Sequence, residues 1–491
     1  MMNLSVEEIK ENLKKYQMVP VFREIFSDTQ TPVRIYNQLS QGHKNTFILE
    51  SVDNNQKWGR YSFIGIDPKL EIVIKNHTAK IIYGNSSDTK TVDDPIQFIS
   101  EFIEKNKMPK IADAPALMGG LVGYFGYDTV RYIEKKLVYT PDDDIGLADC
   151  NLFLYDEIIA FDHLCSKIVI IENVRSDSPV TVEQQLKIID KRVNDICEKI
   201  SSCTEISKHN EKTQQSEVSS TMDKTEFCRS VMQAKEHIIN GDIFQIVLSQ
   251  RFEISNPPDS FCVYRMLRSA NPSPYLYYFK NPDYCIAGAS PEMLVNVTDS
   301  VVTTKPIAGT MPRGENDDED KKNAEKLISD HKECSEHTML VDLGRNDIGK
   351  VSEYGSVEVS DFMHIERYSK VMHIVSDVHG KLRHDKTSVD ALMAVLPAGT
   401  LSGAPKVRAM ELIDKFEKNK RCLYGGTIGY LGFDGNIDTC IAIRTILFKN
   451  DKAYIQAGAG IVADSVPEKE YTEIQNKASA MINAIKEAAS L

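Results

Sequence analysis

"LFLYDEIIAFD" (residues 152–162) and "KIVIIENV" (residues 167–174) are the two runs of sequence that decide the fold class. Both are rich in β-branched and aromatic residues, which favour strands, and only a short polar break separates them. The runs "TFILES", "KLEIVIK" and "AKIIYG" repeat this pattern between residues 46 and 84. Because the breaks between the runs are short, we predict antiparallel sheet in the first part of the chain.

Helical patterns mix with further strand-like runs along the rest of the chain. Amphipathic helices are predicted for "VEEIKENLKKY" (residues 6–16) and "TVEQQLKIIDKRVNDICEKI" (residues 181–200). Apolar residues at helical spacing from Phe227 to Ile238 predict a helix that stops at Gly241. Further strands are predicted at 243–254, 292–298, 300–305, 356–362 and 452–458, and further helices at 317–344, 404–419 and 468–489. Since no regular β-α-β rhythm appears, we expect the α+β class rather than a doubly wound sheet.

The bulk composition argues against several classes of protein. The 491 residues are too many for one small core and predict about two to four structural units. A net charge of −13 argues against a protein that holds nucleic acid through its phosphates. The ten cysteines form no C-x-x-C pair, and no run approaches the ~18 apolar residues of a membrane span. We therefore expect a cytoplasmic protein with no nucleic-acid or membrane partner.

One polar stretch divides the chain. "TEISKHNEKTQQSEVSSTMDK" (residues 204–224) has a single Ile, a single Val and no aromatic residue, which indicates a linker. We therefore predict an N-terminal region over residues 1–203 and a longer C-terminal region over residues 225–491.

Two pairs of glutamates form the first candidate site. Glu333 and Glu336 are three residues apart on one predicted helix, and Glu470 and Glu473 repeat that spacing on the last helix, so each pair shares a face. Mg²⁺ prefers oxygen ligands and commonly takes one or two carboxylates, several waters and an anionic substrate. The glutamates therefore indicate a magnesium site, with solvated helix surface as the alternative.

Three glycine-rich stretches follow or interrupt apolar runs: "LPAGTLSGAPK" (residues 396–406), "YGGTIGY" (424–430) and "QAGAGIV" (456–462). Glycine lets backbone N–H groups approach an anion closely, and Pro405 lies in the first turn of a predicted helix. We interpret the three stretches as turns that contact a ligand, or alternatively as tight turns between strands. None matches a P-loop or a dinucleotide-binding motif, so a nucleotide is not indicated.

Two titratable residues stand inside apolar runs that predict strands, Arg444 in "CIAIRTILF" and His373 in "SKVMHIVSDV". A buried arginine needs a partner, which an anionic ligand or a structural ion pair can supply. His373 is either a hydrogen-bonded core residue or a proton carrier near neutral pH. The residues alone thus indicate an α+β enzyme that uses Mg²⁺ and a small anion, and a metal-stabilised small-molecule sensor is the non-enzymatic alternative.

Ten motifs together resemble the large subunits of anthranilate synthases, within the family of chorismate-utilising enzymes. The resemblance extends from about Met18 to near the C-terminus. It implies large antiparallel sheets packed as a sandwich with helices outside. The motifs are "LESVDNNQKWGRYSFIG", "GDIFQIVLSQR", "NPSPYLYYF", "GASPEML", "PIAGTMPRG", "LVDLGRNDIGKV", "LPAGTLSGAPKVRAMELI", "YGGTIGYLG", "DTCIAIRT" and "QAGAGIVADSVPEKEYTEIQNKA".

The resemblance implies a reaction and a metal. Chorismate, a dicarboxylate, would take ammonia at ring carbon 2, lose the carbon-4 hydroxyl as water and release pyruvate, giving anthranilate in the first step of tryptophan biosynthesis. By the same motifs Glu336 and Glu473 would ligate Mg²⁺, which would bind the ring carboxylate as a Lewis acid. Glu333 and Glu470 would support these two ligands.

The resemblance also implies roles for residues around the substrate. Glu292 would protonate the departing hydroxyl, and His373 would assist elimination and aromatisation. Thr400 would touch the substrate, and Lys477 would lie near the metal-bound carboxylate. The remaining contacts would be Tyr424 and Arg444 on the enolpyruvyl carboxylate and backbone donors of Gly309, Thr310, Gly458, Ala459 and Gly460.

Two positions separate relatives that use different nucleophiles. Isochorismate and salicylate synthases carry a water-activating lysine where this chain has Gln245, and aminodeoxychorismate synthases carry a lysine where this chain has Ala308. A site with neither lysine is best suited to ammonia, which needs no base to become a nucleophile. The resemblance therefore favours anthranilate as the product, with aminodeoxychorismate synthase as the alternative enzyme.

The resemblance implies a second, regulatory site. "LES" and "NPSPYL" resemble the tryptophan feedback pocket of the family, in which Glu50 and Ser51 would take the polar end of the amino acid while Pro274 and Tyr275 line the pocket. Leu276 stands where many relatives have methionine, a volume-conserving change. The alternative is that these residues only pack between sheets.

The chain has no G-x-C-x-G nucleophile turn, so the resemblance implies that ammonia comes from a separate glutamine amidotransferase subunit, in a heterotetramer. Tryptophan would inhibit through a coupling between its own pocket and the chorismate site. Met311 and Gly344, often arginine and alanine in relatives, carry no expected change of function.

Overall fold

The computed structural model describes residues 3–51, 59–202, 217–368 and 370–490. Two short 3-10 helices lie at Tyr127–Tyr132 and Gly399–Leu401. The α-helices are α1 (Val6–Asn12), α2 (Pro32–Leu39), α3 (Pro95–Lys105), α4 (Val182–Ser201), α5 (Lys224–Ile239), α6 (Ser260–Ala270), α7 (Asp317–Ser329), α8 (His331–Gly349), α9 (Ser388–Val395), α10 (Lys406–Phe416) and α11 (Pro467–Ala488).

The strands pair into two large antiparallel sheets. The N-terminal strands are β1 (Met18–Phe26), β2 (Thr46–Glu50), β3 (Tyr61–Ile66), β4 (Leu70–Lys75), β5 (Thr78–Tyr83), β6 (Ser86–Thr91), β7 (Gly120–Phe125), β8 (Cys150–Tyr155), β9 (Ile158–Asp162) and β10 (Lys167–Arg175). The later strands are β11 (Val218–Ser220), β12 (Gln245–Ser255), β13 (Tyr275–Lys280), β14 (Cys285–Ser290), β15 (Met293–Thr298), β16 (Val301–Thr304), β17 (Ile307–Pro312), β18 (Glu358–Arg367), β19 (Val371–Lys381), β20 (Gly403–Ala404), β21 (Thr427–Gly432), β22 (Ile437–Ile441), β23 (Thr445–Lys449) and β24 (Lys452–Ile461).

Both sheets combine strands from the two ends of the chain. The first sheet has the order β1-β10-β9-β3-β2-β13-β14-β23-β24-β12-β11, with β20 beside β12. The second has the order β17-β19-β16-β15-β22-β21-β7-β8-β4-β5-β6, with β18 beside β19. The α+β class and the antiparallel sheets are therefore confirmed.

Two apolar layers show how the sheets and helices stack. One core contains Phe47 and Tyr277 of the first sheet together with Leu121 and Ile428 of the second, so it fills the space between the sheets. The other joins the opposite face of the first sheet to α2, α4, α5, α6, α10 and α11. The first sheet contributes to both cores because successive strand residues point to opposite faces of a sheet. The arrangement is the predicted sandwich with helices outside.

The predicted linker needs a partial correction. Residues 204–216 lie outside the described residues, but Val218–Ser220 form β11, which pairs with β12, and α5 begins at Lys224. Backbone pairing along an open sheet edge outweighs the polar composition there. The division into regions 1–203 and 225–491 stays a prediction, and the strand pairs β2–β13 and β21–β7 join the two regions within each sheet.

The helix predicted over residues 317–344 is wrong as a single element. It is two helices, α7 and α8, which meet at Asp330. The Asp330 side chain accepts hydrogen bonds from the backbone of Lys332 and Glu333, so it caps the start of α8. α8, which carries Glu333 and Glu336, therefore begins as a helix of its own.

Candidate active site

A cavity of about 550 Å³ collects most of the residues that the sequence singled out. It lies where β17 and β19 of the second sheet, β12 and β24 of the first sheet, and helices α8 and α11 meet. Its lining includes Glu292, Gly309, Thr310, Glu333, Glu336, His373, Thr400, Tyr424, Arg444, Gly458, Gly460, Glu470, Glu473 and Lys477. Gln245 and Ala308 line it as well. The two positions at which relatives with different nucleophiles differ therefore face the same space.

A β-bulge in β17 orients His373. The register of β17 against β19 shifts between Ala308 and Thr310, and Gly309 between them has φ of 63°. The Gly309 carbonyl oxygen lies 2.8 Å from Nδ1 of His373, and because a carbonyl can only accept, Nδ1 carries the proton. Burial lowers the pKa of His373, so the ring is neutral near pH 7 and its Nε2 can accept a proton.

Glu292 is a carboxyl group that burial holds near neutral. It follows the end of β14, and its Oε1 accepts a hydrogen bond of 2.9 Å from the Thr400 hydroxyl. Burial raises its pKa to about 7, while the Thr400 bond and the charge of Lys477 act in the opposite direction. A carboxyl group with this pKa can be protonated at neutral pH and donate its proton.

The four glutamates lie on α8 and α11 around the same cavity. Burial and the neighbouring carboxylates raise the pKa of Glu333, Glu336 and Glu470, and Glu473 Oε1 lies 2.7 Å from Nζ of Lys477. Within the described ranges no group of three or more His, Cys, Asp or Glu side chains is gathered to hold a metal ion. Mutual repulsion of this kind is relieved by a cation, and Mg²⁺ needs only one or two carboxylates beside water and substrate oxygens, so the donor set fits the ion.

Arg444 is not inside a strand, contrary to the prediction from its apolar surroundings. It lies in the break between β22 and β23 with φ of 51°, which strand geometry does not allow. Its Nη1 donates to the carbonyl of Lys477 at 2.7 Å, and Nζ of Lys477 donates to the carbonyl of Gly458 at 3.0 Å. The guanidinium thus faces the cavity with donors left for an anion.

The stretch 456–462 is likewise not a turn, because residues 452–461 form β24 along β12. A Cβ atom at position 458 would lie 2.7 Å from the Tyr424 hydroxyl, and one at position 460 would lie 2.8 Å from Nε2 of Gln245. The two glycines therefore leave room for the side chains of Tyr424 and Gln245 to approach the strand. They do not make the chain turn. Ala459 points the other way, into the core under the helices.

The predicted regulatory residues lie together but apart from the cavity. Glu50 and Leu276 are paired across β2 and β13, and the Glu50 carboxylate accepts bonds from the Tyr264 hydroxyl at 2.6 Å and from Arg268 at 2.8 and 3.0 Å. The buried hydroxyl of Ser51 has no hydrogen-bond partner within the described part of the chain. Pro274 directly precedes β13, and the Tyr275 hydroxyl donates to Asp438 at 3.0 Å.

Sequence reasoning missed Lys332, which also lines the cavity, whereas Gln456 belongs to the stretch 456–462 that was expected to contact a ligand. Lys332 stands four residues before Glu336 on α8. Burial raises the pKa of Glu336 and the charge of Lys332 opposes that rise, so the i, i+4 spacing was a usable signal. Gln456 lies on β24 opposite Arg251 of β12, so strand pairing and not a turn places it at the cavity.

Comparisons with known proteins agree with this fold and site. The model of the chorismate binding enzyme family matches residues 16–483. The crystal structure of anthranilate synthase component I from Streptococcus pneumoniae has a TM-score of 0.76 and 39% identity, covering 93% of this chain and 98% of that one. The menaquinone-specific isochorismate synthase from Escherichia coli shares the fold at 19% identity, with a TM-score of 0.69 and 98% of each chain covered.

The fold and the family match define the class first: the chain belongs to the chorismate-binding enzymes. Within this class it groups with anthranilate synthase component 1, because the protein of that name from Acetivibrio thermocellus is 47% identical over 492 residues, 99% of each chain. None of the helices in the described ranges is both long and apolar enough to span a bilayer.

Proposed function

We propose that this chain is the chorismate-converting subunit of an anthranilate synthase. It combines chorismate with ammonia and releases anthranilate, pyruvate and water, the first step of tryptophan biosynthesis. The name shared by its relatives supports this reaction. The main structural support is that Gln245 and Ala308 form part of the cavity wall. Neither side chain can act as a base or a covalent nucleophile, so the wall suits a nucleophile that is reactive when neutral.

The acid and the base of the reaction come from different elements of the cavity. Ammonia attacks ring carbon 2 while Glu292 gives its proton to the carbon-4 hydroxyl, which leaves as water, and the proton that the new ammonium group then loses balances the one given by Glu292. The neutral Nε2 of His373 then accepts the proton that ring carbon 2 loses as pyruvate departs. The raised pKa of Glu292 and the Gly309 bond that fixes the His373 tautomer support this division of roles.

The two carboxylates of chorismate meet different groups in the cavity wall. Arg444 and Tyr424 hold the enolpyruvyl carboxylate, and Lys477 lies near the ring carboxylate beside Glu473. Glu336 and Glu473 would hold Mg²⁺, with Glu333 and Glu470 behind them. The ion would supply Lewis-acid stabilisation of the charge that builds on the ring carboxylate.

A partner and an inhibitor complete the proposal. A separate glutaminase subunit supplies ammonia, which the designation "component 1" of the relatives supports, and the two subunits form a heterotetramer. Tryptophan binds near Glu50, Ser51 and Tyr275, and the buried hydroxyl of Ser51, which has no hydrogen-bond partner among the described residues, supports a polar ligand there.

The test is the product of the purified chain. With chorismate, Mg²⁺ and ammonium at alkaline pH it should form anthranilate, followed by its fluorescence, without a partner subunit. Accumulation of 4-amino-4-deoxychorismate or isochorismate would refute the proposal, and absence of any turnover would favour a tryptophan-binding regulator.

A further inference from the structure

A chain of buried hydroxyl groups spans the break that carries Arg444. The Thr445 hydroxyl donates to the carbonyl of Ile443 at 2.8 Å, and the Tyr277 hydroxyl lies 2.6 Å from Oγ1 of Thr445. Because the Thr445 proton is engaged with Ile443, the Tyr277 hydroxyl is the donor to Thr445. The bonds therefore run from β13 to both neighbours of Arg444.

The strand pair β13–β14 is shaped to admit Tyr277. Gly288 stands opposite Tyr277, and a Cβ atom there would lie 2.2 Å from the tyrosine ring. The backbone N–H of Ala289, next along β14, donates to the carbonyl of Arg444 at 3.1 Å. Tyr277 is only 1% exposed, so its hydroxyl has no water to replace Thr445 if the bond is lost.

Arg444 needs such support because its backbone is in an unfavourable conformation. A non-glycine residue with positive φ persists only where its surroundings hold it. Its side chain lines the cavity at the place where the enolpyruvyl carboxylate would bind. A small rotation of this break would move the guanidinium away from an anion that it must meet with two parallel bonds.

We propose that Tyr277 is a positioning residue for substrate binding: through Thr445 its hydroxyl holds the Arg444 break and thereby aims the guanidinium at the substrate carboxylate. The inference rests on the proposed function, because it takes chorismate as the ligand of Arg444. It assigns a binding role to a side chain that does not line the cavity.

The test compares Tyr277→Phe with Tyr278→Phe. The Tyr278 hydroxyl is also buried and lies 2.7 Å from the Ser260 hydroxyl, but Tyr278 packs into the core under the helices. Tyr277→Phe should raise the KM for chorismate about three- to tenfold, the effect of one buried hydrogen bond. The kcat should stay within about twofold, because Arg444 binds substrate and transition state alike. Tyr278→Phe should leave both constants unchanged.

Two further measurements keep the outcome clear. Equilibrium binding of chorismate without ammonia should weaken in Tyr277→Phe by the same factor as KM rises. Thr445→Val removes the same Tyr277–Thr445 hydrogen bond from its other end, so its effect on KM should not add to that of Tyr277→Phe. If Tyr277→Phe does not fold, Thr445→Val takes its place in the test. Equal KM values in the Tyr277→Phe, Tyr278→Phe and wild-type proteins, or additive effects, would overturn the inference.

Arg444→Lys separates this inference from the proposed function. If Arg444→Lys binds chorismate as the wild type does, the substrate assignment of Arg444 fails. If Arg444→Lys weakens binding while Tyr277→Phe and Thr445→Val do not, only the positioning role of Tyr277 fails.

Discussion

The protonation of Glu292 predicts a pH dependence that the Thr400 hydrogen bond controls. Burial raises the Glu292 pKa from 4.5 to about 7. If the protonated carboxyl is the acid, kcat/KM for chorismate falls as pH rises through about 7, by about tenfold per pH unit on the alkaline side. The Thr400 hydroxyl donates to Oε1 and so favours the charged form.

Thr400→Val should move this alkaline limb to higher pH. A hydrogen bond to a charged group contributes about 1.5–3 kcal/mol, and one pKa unit corresponds to about 1.4 kcal/mol. Loss of the bond should therefore raise the Glu292 pKa by about one to two units. Thr400→Ser keeps the hydroxyl and should keep the wild-type limb.

The assay is anthranilate fluorescence at a fixed concentration of unprotonated ammonia, because ammonium itself titrates at alkaline pH. If kcat/KM of Thr400→Val falls at the same pH as that of the wild type, or at a lower pH, the predicted effect of the hydrogen bond is refuted. A wild-type rate that rises through pH 7 under these conditions would refute the role of Glu292 as the acid.

The same pKa has a consequence for stability. A carboxyl whose folded-state pKa lies above its unfolded value binds its proton more tightly when folded, so stability falls as pH rises from 4.5 to about 7. Above pH 7 the cost of the ionised Glu292 is about 3 kcal/mol. Glu292→Gln should thus be more stable than the wild type to urea at pH 8 but not at pH 4, while its kcat drops by about 10²–10⁴. Equal stability at both pH values would contradict this burial effect.

Three further substitutions test other walls of the two sites, and a fourth, Gly349→Ala, serves as a control. Ala308→Lys should lower anthranilate formation at saturating ammonia by at least about tenfold, measured by fluorescence, whereas a spacer position would tolerate it. Gly458→Ala, whose Cβ would lie 2.7 Å from the Tyr424 hydroxyl, should raise the KM for chorismate, and Gly349→Ala, with nothing within 4 Å, should not. Ser51→Phe should abolish inhibition by tryptophan and keep the ammonia-dependent rate; full sensitivity would remove the pocket assignment.

Several strands were predictable because their own residues favour strand structure, whereas β11 lies in a polar stretch that predicted a linker. Runs such as residues 167–174 carry enough β-branched residues to form β10 in nearly the expected place, Lys167–Arg175. The break between α7 and α8 was not predictable in the same way, because the residues around Asp330 are charged and helical on both sides. The boundary at Asp330 is visible only in the folded chain, where Asp330 caps α8 and α8 packs on β17 and β19.

In the site, too, features set by neighbouring residues were predictable, whereas features set by distant segments were not. Pairs at helical spacing, such as Glu333 and Glu336, could be placed on one face without knowing the fold. The reason for the glycine at position 458 could not be read locally, because the side chain it accommodates belongs to Tyr424, on a distant segment. Arg444 was misplaced for a similar reason: the bonds that hold its positive φ come from β13 and β14.

A cavity with Gln245 and Ala308 in its wall should use ammonia to make an aromatic product from chorismate. The most direct measurement is product analysis by chromatography and fluorescence after incubating the purified chain with chorismate, Mg²⁺ and ammonium. We expect anthranilate and pyruvate in equal amounts. Isochorismate, or 4-amino-4-deoxychorismate without pyruvate, would contradict the account.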